Sequence, residues 1–533
     1  MTRPTMFRLA AGLTLVLTLA ACSGGGEAVD MNGEQNGDQE ADGTAGGTGG
    51  SDGDADAPAA GGTLVAAIAG EPDQLDPHVT TAYFSFQVLE NVYDTLVEPD
   101  VNLEMQPALA ESWETSDDQL TWTFHLREGV TWHDGSDFTA DDVVYSYNRI
   151  MEEELSPSWR FSSVESVTAV DESTVEIKVG SPSPNLLANI GGYKGVAIVQ
   201  QENVESGDVT TAPVGTGPFS VSDYTPGSSI TLEANADYYG GAPQIGGVEF
   251  RFISEPTTAL ASLQSGDVQW TDNVPPQQVA SLPGTEGIEL GQVGSNDYWY
   301  LALNQAHEPF DQVEVRQAIA FAIDREGITE ATMFGNATVN QTAIPESSSW
   351  FTPYDKYSYD PAQATSLLES AGVDPASIPM EIMVSTDYPE TVQAAQIISS
   401  QLSDIGINSE IKSLDFGAWL DEQGQGNFDM LMMGWLGNID PDDFYYSQHH
   451  TDGANNYQGY SNPDVDALLE QGRVETDEAA RKDIYDQVAT QIADDASYIY
   501  LYNPDVVQAW SSDVQGYEVM PNRAIRFRDV TLG

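Results

Sequence analysis

A chain of 533 residues, 40% of them hydrophobic and 10 of them Trp, has material for an ordinary globular interior spread over two or three domains. Its 18 Lys+Arg stand against 84 Asp+Glu, a formal net charge of −66, and such a surface repels nucleic acid and anionic lipid headgroups alike. The acids run through the whole chain rather than forming a tail, the pattern of a solvated, halophile-like shell, with cation binding in a site as the rival reading.

The first segment, MTRPTMFR, is basic; LAAGLTLVLTLA is apolar but too short for a stable span; LAAC closes it at Cys22. This is the form of a bacterial lipoprotein signal, with residues 1–21 removed and Cys22 acylated. Cys22 is the only cysteine, which excludes an intrachain disulfide and a thiol catalyst elsewhere. Residues 22–62 carry no Lys, Arg or aromatic and read as a flexible, self-repelling tether. The Asp52–Asp56 run has Ala57 at the sixth position of a calcium loop and no Glu at the twelfth, so it is low-complexity chain.

TLVAAIAG, from Thr63, predicts a buried strand, broken by Pro72 and Pro77; FSFQVLENVYDTLV then has helical spacing. LTWTFHLREGVTWHDGSDFTADDVVYSYNRI alternates through Trp122, Phe124 and Leu126, turns at Glu128–Gly129, and continues through Val130 and Trp132. After a turn at Asp134–Gly135, Thr139 caps a helix with Asp142 at the capping-box position, so the block predicts strand, strand, helix. His133–Asp134 invites a metal reading, but no second His–Asp pairing accompanies it. STVEIKV predicts a strand and VEFRFISEPTTALASLQSGDVQW a strand and a helix with a Gly turn into a further strand. Val315, Ala318, Ile319, Ala322 and Ile323 share a helical face; DPAQATSLLESAG and ETVQAAQIISSQLSDIG are helices stopped by Gly372 and Gly406. FDMLMMGWLG is an apolar run of strand length, and the alternation overall predicts mixed α/β sheets with helices on their faces.

The stretch GWLGNIDPDDFYYSQHH, Gly434–His450, holds the densest chemistry. Asp440, Asp442 and Asp443 would serve an acid–base pair in an extracytoplasmic hydrolase, and equally a turn and a helix cap. H-E-x-x-H, Cys-x-x-Cys and phosphate-cradling Gly loops are all missing from the sequence. Adjacent His449 and His450 reach one ion only from an irregular loop. Neither catalytic residues nor a metal site nor a cofactor is therefore assigned. A site that binds without reacting fits better: Trp435 supplies a wall, and Gly434 and Gly437 leave room for a ligand backbone.

LDPH (Leu75–His78), ALAESWETSDDQLTWTFHLREGVTWHDGSDFTADDVVYSYNRI, VGTGPF (Val214–Phe219), ALASLQSGDVQ, LALNQAHEPFDQVEVRQAIAFAIDREGI, GYSNPDVDALLEQGR and RKDIYDQVATQIADDASYIYLY occur in that order across residues 63–510. Together they resemble the family 5 solute-binding proteins of ABC importers, the dipeptide, oligopeptide and nickel class. The resemblance implies an α/β, two-lobed periplasmic-binding-protein type II fold of the large cluster C type, with an extra α/β domain beside the first lobe. It divides the chain into a first lobe (Thr63–Tyr93, Pro184–Leu282, Leu501–Gly533), an extra domain (Asp94–Ser183) and a second lobe (Pro283–Tyr500). It further implies a monomer outside the cytoplasmic membrane, in the periplasmic space or on the outer face, held through Cys22. Its partners are then a permease with two ATPase subunits and a peptide or other small oligomeric ligand: oligosaccharide, opine or metal chelate.

In peptide-binding members an Asp shortly after the Trp pairs with the ligand ammonium; here that place falls on Asn438, one residue closer to Asp440–Pro441. Either Asp440 takes the ammonium or the ligand lacks a free amine there. The facing wall falls on Thr81, Ala82 and Tyr83, whose backbone would pair with an extended ligand. Tyr298 and Trp299 are stacking surfaces or core. Trp159, Arg160 and Lys412 are further candidates without a motif behind them.

Overall fold

The computed structural model describes residues 61–192 and 196–533. The signal, Cys22 and nearly all of the tether lie outside the described residues. The first strand, Gly61–Ile68, begins two residues ahead of its expected start at Thr63 and is buried from Ala66 on.

A 12-stranded sheet runs through the body. One half orders Glu410–Leu414, Glu381–Ser385, Met430–Trp435 and Tyr298–Leu303; the other orders Trp270–Thr271, Gly61–Ile68, Ile245–Phe252, Ser229–Ala234 and Phe219–Thr225. The 14-residue strand Tyr498–Ser511 joins them. Its first part pairs antiparallel with Tyr298–Leu303, and its second part with Ile288–Gly294 and Trp270–Thr271. Ile288–Gly294, which the expected boundary at Pro283 assigns to the second lobe, thus pairs on the side of the Gly61–Ile68 strand. The chain changes halves at Ser295–Asp297 and again near Pro504. There the Ser295 hydroxyl donates to the Pro504 carbonyl at 2.6 Å and the Asn503 amide donates to the Asp297 carbonyl at 2.7 Å. Two adjacent backbone crossings are stitched together in this way.

Each half has its own core. Helices Val313–Ala322, Pro389–Asp404 and Glu478–Asp494 close one around Tyr300, Leu301, Met432 and Tyr500. Leu64, Ile230, Val248, Phe250 and Trp270 centre the other. A third core belongs to a separate four-stranded antiparallel sheet, Ala110–Thr115, Thr121–Leu126, Thr174–Val179 and Val164–Asp171, packed by helix Ala140–Glu152. The expected capping box starts that helix: the Asp142 carboxylate accepts the Thr139 N–H at 2.8 Å.

Two local expectations fail. Val130–Trp132 is not a strand; only an isolated bridge, Thr131 to Asp137, forms between its two turns. The helix expected through Val97 spans only Tyr83–Leu89, because the Asn91 side chain is taken by the Ile525 carbonyl and the Phe527 N–H beyond it. His133 bonds through both ring nitrogens to the Gly215–Gly217 backbone, so it fastens the VGTGPF turn.

Candidate functional site

Strand Met430–Trp435 runs into the Leu436–Ile439 loop, and Asp440 then caps helix Pro441–His449 by accepting the Asp442 N–H at 2.9 Å. Glycine is required twice here. A Cβ on Gly434 would lie 3.0 Å from the Trp299 ring, and Gly437 has φ 64°. The Gly437 N–H donates to the fully buried Asp297 carboxylate at 2.7 Å, and Asn296 donates to the Asn438 carbonyl at 2.6 Å. The loop is therefore tied to the crossing segment. Asn438 is 5% exposed, and its side-chain Nδ2 has no hydrogen-bond partner among the described residues. A buried amide left with an unused donor costs about 1–3 kcal/mol unless something supplies an acceptor.

The acids beyond it are differently placed. Asp440 forms a bidentate pair with Arg481, at 2.6 and 2.7 Å, and both side chains are buried. Its carboxylate is spent on that pair and on the cap, which argues against the ligand contact expected of it. Asp442 meets Arg473 at 3.3 Å, Tyr485 at 3.1 Å and Asn185 from across the cleft at 3.2 Å; burial pushes its pKa up to about 7. His449 bonds Ser497 and Tyr500 and is held neutral by burial, while His450 turns to Glu470. The two rings have separate partners, and no group of three or more metal-ligating side chains occurs among the described residues.

Tyr298 and Trp299 point to opposite faces of their strand. Tyr298 packs on Phe444, Tyr300 and Tyr500, which makes it core; Trp435, its cross-strand partner, lies half-buried against the same core. Trp299 faces Tyr388 and Tyr502, with centroids 5.8 and 6.4 Å away. Lys412 is paired with Glu381 and Glu422 well apart from the loop. Trp159 is 51% exposed with the Arg160 guanidinium 4.5 Å over its ring. Arg160 itself lines a small hollow together with Gly192, Gly437, Ile439, Asp443 and Asn522.

On the facing wall Thr81 is exposed, and Ala82, the N-cap of helix Tyr83–Leu89, has its N–H taken by Thr80 at 3.1 Å. Tyr83 reaches Asp272 at 3.4 Å. Sequence reasoning missed Gln87, Asp272, Asp297, Glu390 and Arg523. Arg523 pairs with Asp297 and lies in electrostatic reach of Asp272 and Glu390, so both walls meet at one guanidinium. Its φ of 66° is unusual for a residue with a side chain and costs about 1 kcal/mol. Its position in the last dozen residues, beyond every motif, left no signal.

The family model "Bacterial extracellular solute-binding proteins, family 5 Middle" matches residues 104–457. The chain belongs to that family. The dipeptide-binding protein of Escherichia coli (strain K12) is 28% identical over 507 residues, covering 88% of this chain and 94% of its own. The DppA periplasmic binding protein of Helicobacter pylori, solved with the peptide STSA, superposes with a TM-score of 0.80 at 28% identity over 89% of this chain and 98% of its own. AgaA from A. tumefacien R10, solved with agropinic acid, gives 0.78 at 28% identity over 89% and 99%. The two sheet halves are thus the lobes of a type II, cluster C periplasmic-binding fold. The protein is a transport binding protein of the ABC class and not an enzyme.

Proposed function

We propose that this protein is the lipid-anchored substrate-binding subunit of an ABC importer, taking peptides between its two lobes and handing them unaltered to the permease. The Asn438 side chain carries the reading: a buried donor without a partner among the described residues, on a loop tied to the crossing segment. Acylation at Cys22 would hold a body of this charge to the membrane despite repulsion from its surface. The acidic surface fits function in high salt, and dialysis to low salt is expected to lower the melting temperature. Thermal-shift screening against a peptide library tests the ligand class, because a ligand well above its Kd raises the melting point. Recovery of the peptide intact separates binder from hydrolase; cleavage would end the proposal. A second reading keeps the role and changes the ligand to a small non-peptide such as an opine. It is favoured by Asn standing where a carboxylate would meet an ammonium, and by the likeness to the agropinic acid complex. A melting shift with opines or oligosaccharides and none with peptides would establish it.

A further inference from the structure

The lobe wall opposite Asn438 has the reverse chemistry. Gln87 is 1% exposed, and its Nε2 donates to Asp272 Oδ2 at 2.5 Å. That bond turns the amide oxygen the other way, and Gln87 Oε1 is buried with no donor among the described residues. Asp272 Oδ1 is likewise buried without a donor, while Oδ2 is shared by Gln87 and the Tyr83 hydroxyl. Two acceptors, one carrying charge, therefore stand together. The charge around them is unbalanced as well. Asp272 from the first lobe, Asp297 from the crossing and Glu390 from the second lobe have one guanidinium, Arg523, in reach of all three. Arg523 is bonded to Asp297.

We propose that Gln87 and Asp272, with Tyr83 holding the carboxylate in place, form a subsite for a cationic group of the ligand, an ammonium or guanidinium. The inference rests on the peptide reading above and specifies its substrate class: peptides carrying a basic side chain or a free amine directed at the first lobe. A primary ammonium brings three donors, enough for Asp272 Oδ1 and Gln87 Oε1 together, and its charge offsets the surplus carboxylates. Burial raises the pKa of Asp272 to about 6 and also raises that of Glu390; Arg523 opposes both shifts. An arriving cation would add to that opposition and keep the carboxylates ionised.

Calorimetric titration of the full chain with two matched peptides tests this, one with Lys and one with norleucine at the same position, each with free and acetylated N-terminus. The expected result is an affinity at least about tenfold higher for a peptide that carries a cation than for its neutral counterpart. Asp272→Asn should collapse that ratio to near one, and Gln87→Leu should shrink it, with the melting temperature of each unliganded variant confirming its fold. If all peptides bind alike, or the ratio survives Asp272→Asn in the folded variant, the subsite is refuted while the peptide reading stands. If none of the peptides binds, the peptide reading falls and takes this inference with it.

Discussion

Two buried carboxylate clusters flank the cleft, and they are built on opposite principles. Around helix Pro441–His449, Asp440 and Asp442 are each bonded to a guanidinium, Arg481 and Arg473, with Asp443 beside them, and Tyr485, Asn185 and the helix cap take further lone pairs. Around Arg523, three acids share one cation, and acceptors of Asp272 and Gln87 remain unused. Acids bonded one to one serve to hold elements together, although burial still raises Asp442 to about 7. An unbalanced cluster stays costly until something else arrives. On the proposed reading, the same residue types separate into framework and site by whether their partners are already present.

That difference makes Asp440 the most damaging place to cut. Asp440→Ala would strip Arg481 of its two bonds to the carboxylate, leave it only the Gly472 carbonyl, and uncap the helix, at about 3–5 kcal/mol. Urea denaturation should show it as a lower midpoint with unchanged slope. If stability holds and peptide affinity is lost instead, the cluster belongs to the site and the comparison fails. Asn438→Asp probes the other class. Adding a carboxylate where a lone donor now sits should tighten binding of free-amine peptides about tenfold relative to acetylated ones. The unliganded protein should melt lower, since the new charge has no built-in cation. Unchanged affinity for every peptide would mean that residue 438 does not meet the ligand.

How far the sequence carries the reading follows the same division. Strands and helices with strong periodicity, such as Met430–Trp435 and Pro389–Asp404, were legible because a buried face imposes its period on local residue choice. The Thr139–Asp142 box was legible because its partners lie three residues apart. Asp440 was not: the Arg481 that claims it lies 41 positions on, and nothing local distinguishes a claimed carboxylate from a waiting one. Tyr298 and Trp299 read alike as aromatics; strand alternation sends them to opposite faces, and packing buries both. Arg523 and Asp272 are 251 positions apart and come together only through the topology of the sheet.

A third carboxylate group lies behind helix Tyr83–Leu89, where Glu90, Asp94, Glu98, Arg526 and Arg528 line one hollow. Burial lifts Glu90 from 4.5 to about 8 and Asp94 from 3.8 to about 6. An acid whose folded pKa lies above its unfolded value takes up a proton on folding, so its penalty is absent at low pH and grows until pH passes the folded pKa. His78 and His449, lowered to about 4 and about 3, act in the opposite sense only below the ordinary histidine value of 6.5. Between pH 7 and 8 the carboxyls act alone, and stability should fall by up to about 1.4 kcal/mol per pH unit for the proton on Glu90. Glu90→Gln keeps an acceptor for the Ile525 N–H, bonded at 2.9 Å, and should flatten that slope. A slope that persists in the variant would assign the proton to another group, with Asp442, raised to about 7, next in line.

The smallest effect is expected at Gly437, where framework and site meet. Its N–H bonds Asp297, which also holds Arg523, and the residue after it is Asn438. Gly437→Ala retains the N–H but puts a Cβ on a backbone at φ 64°, a cost of roughly 1 kcal/mol. If the loop keeps its conformation, that strain appears wholly as a slightly lower urea midpoint and peptide affinity is untouched. If the loop relaxes toward negative φ, stability is recovered, Asn438 turns away from its position, and affinity falls while the midpoint barely moves. The bonds from Asp297 and Asn296 to this loop favour the first outcome, since relaxing would break two buried hydrogen bonds worth more than the strain they preserve.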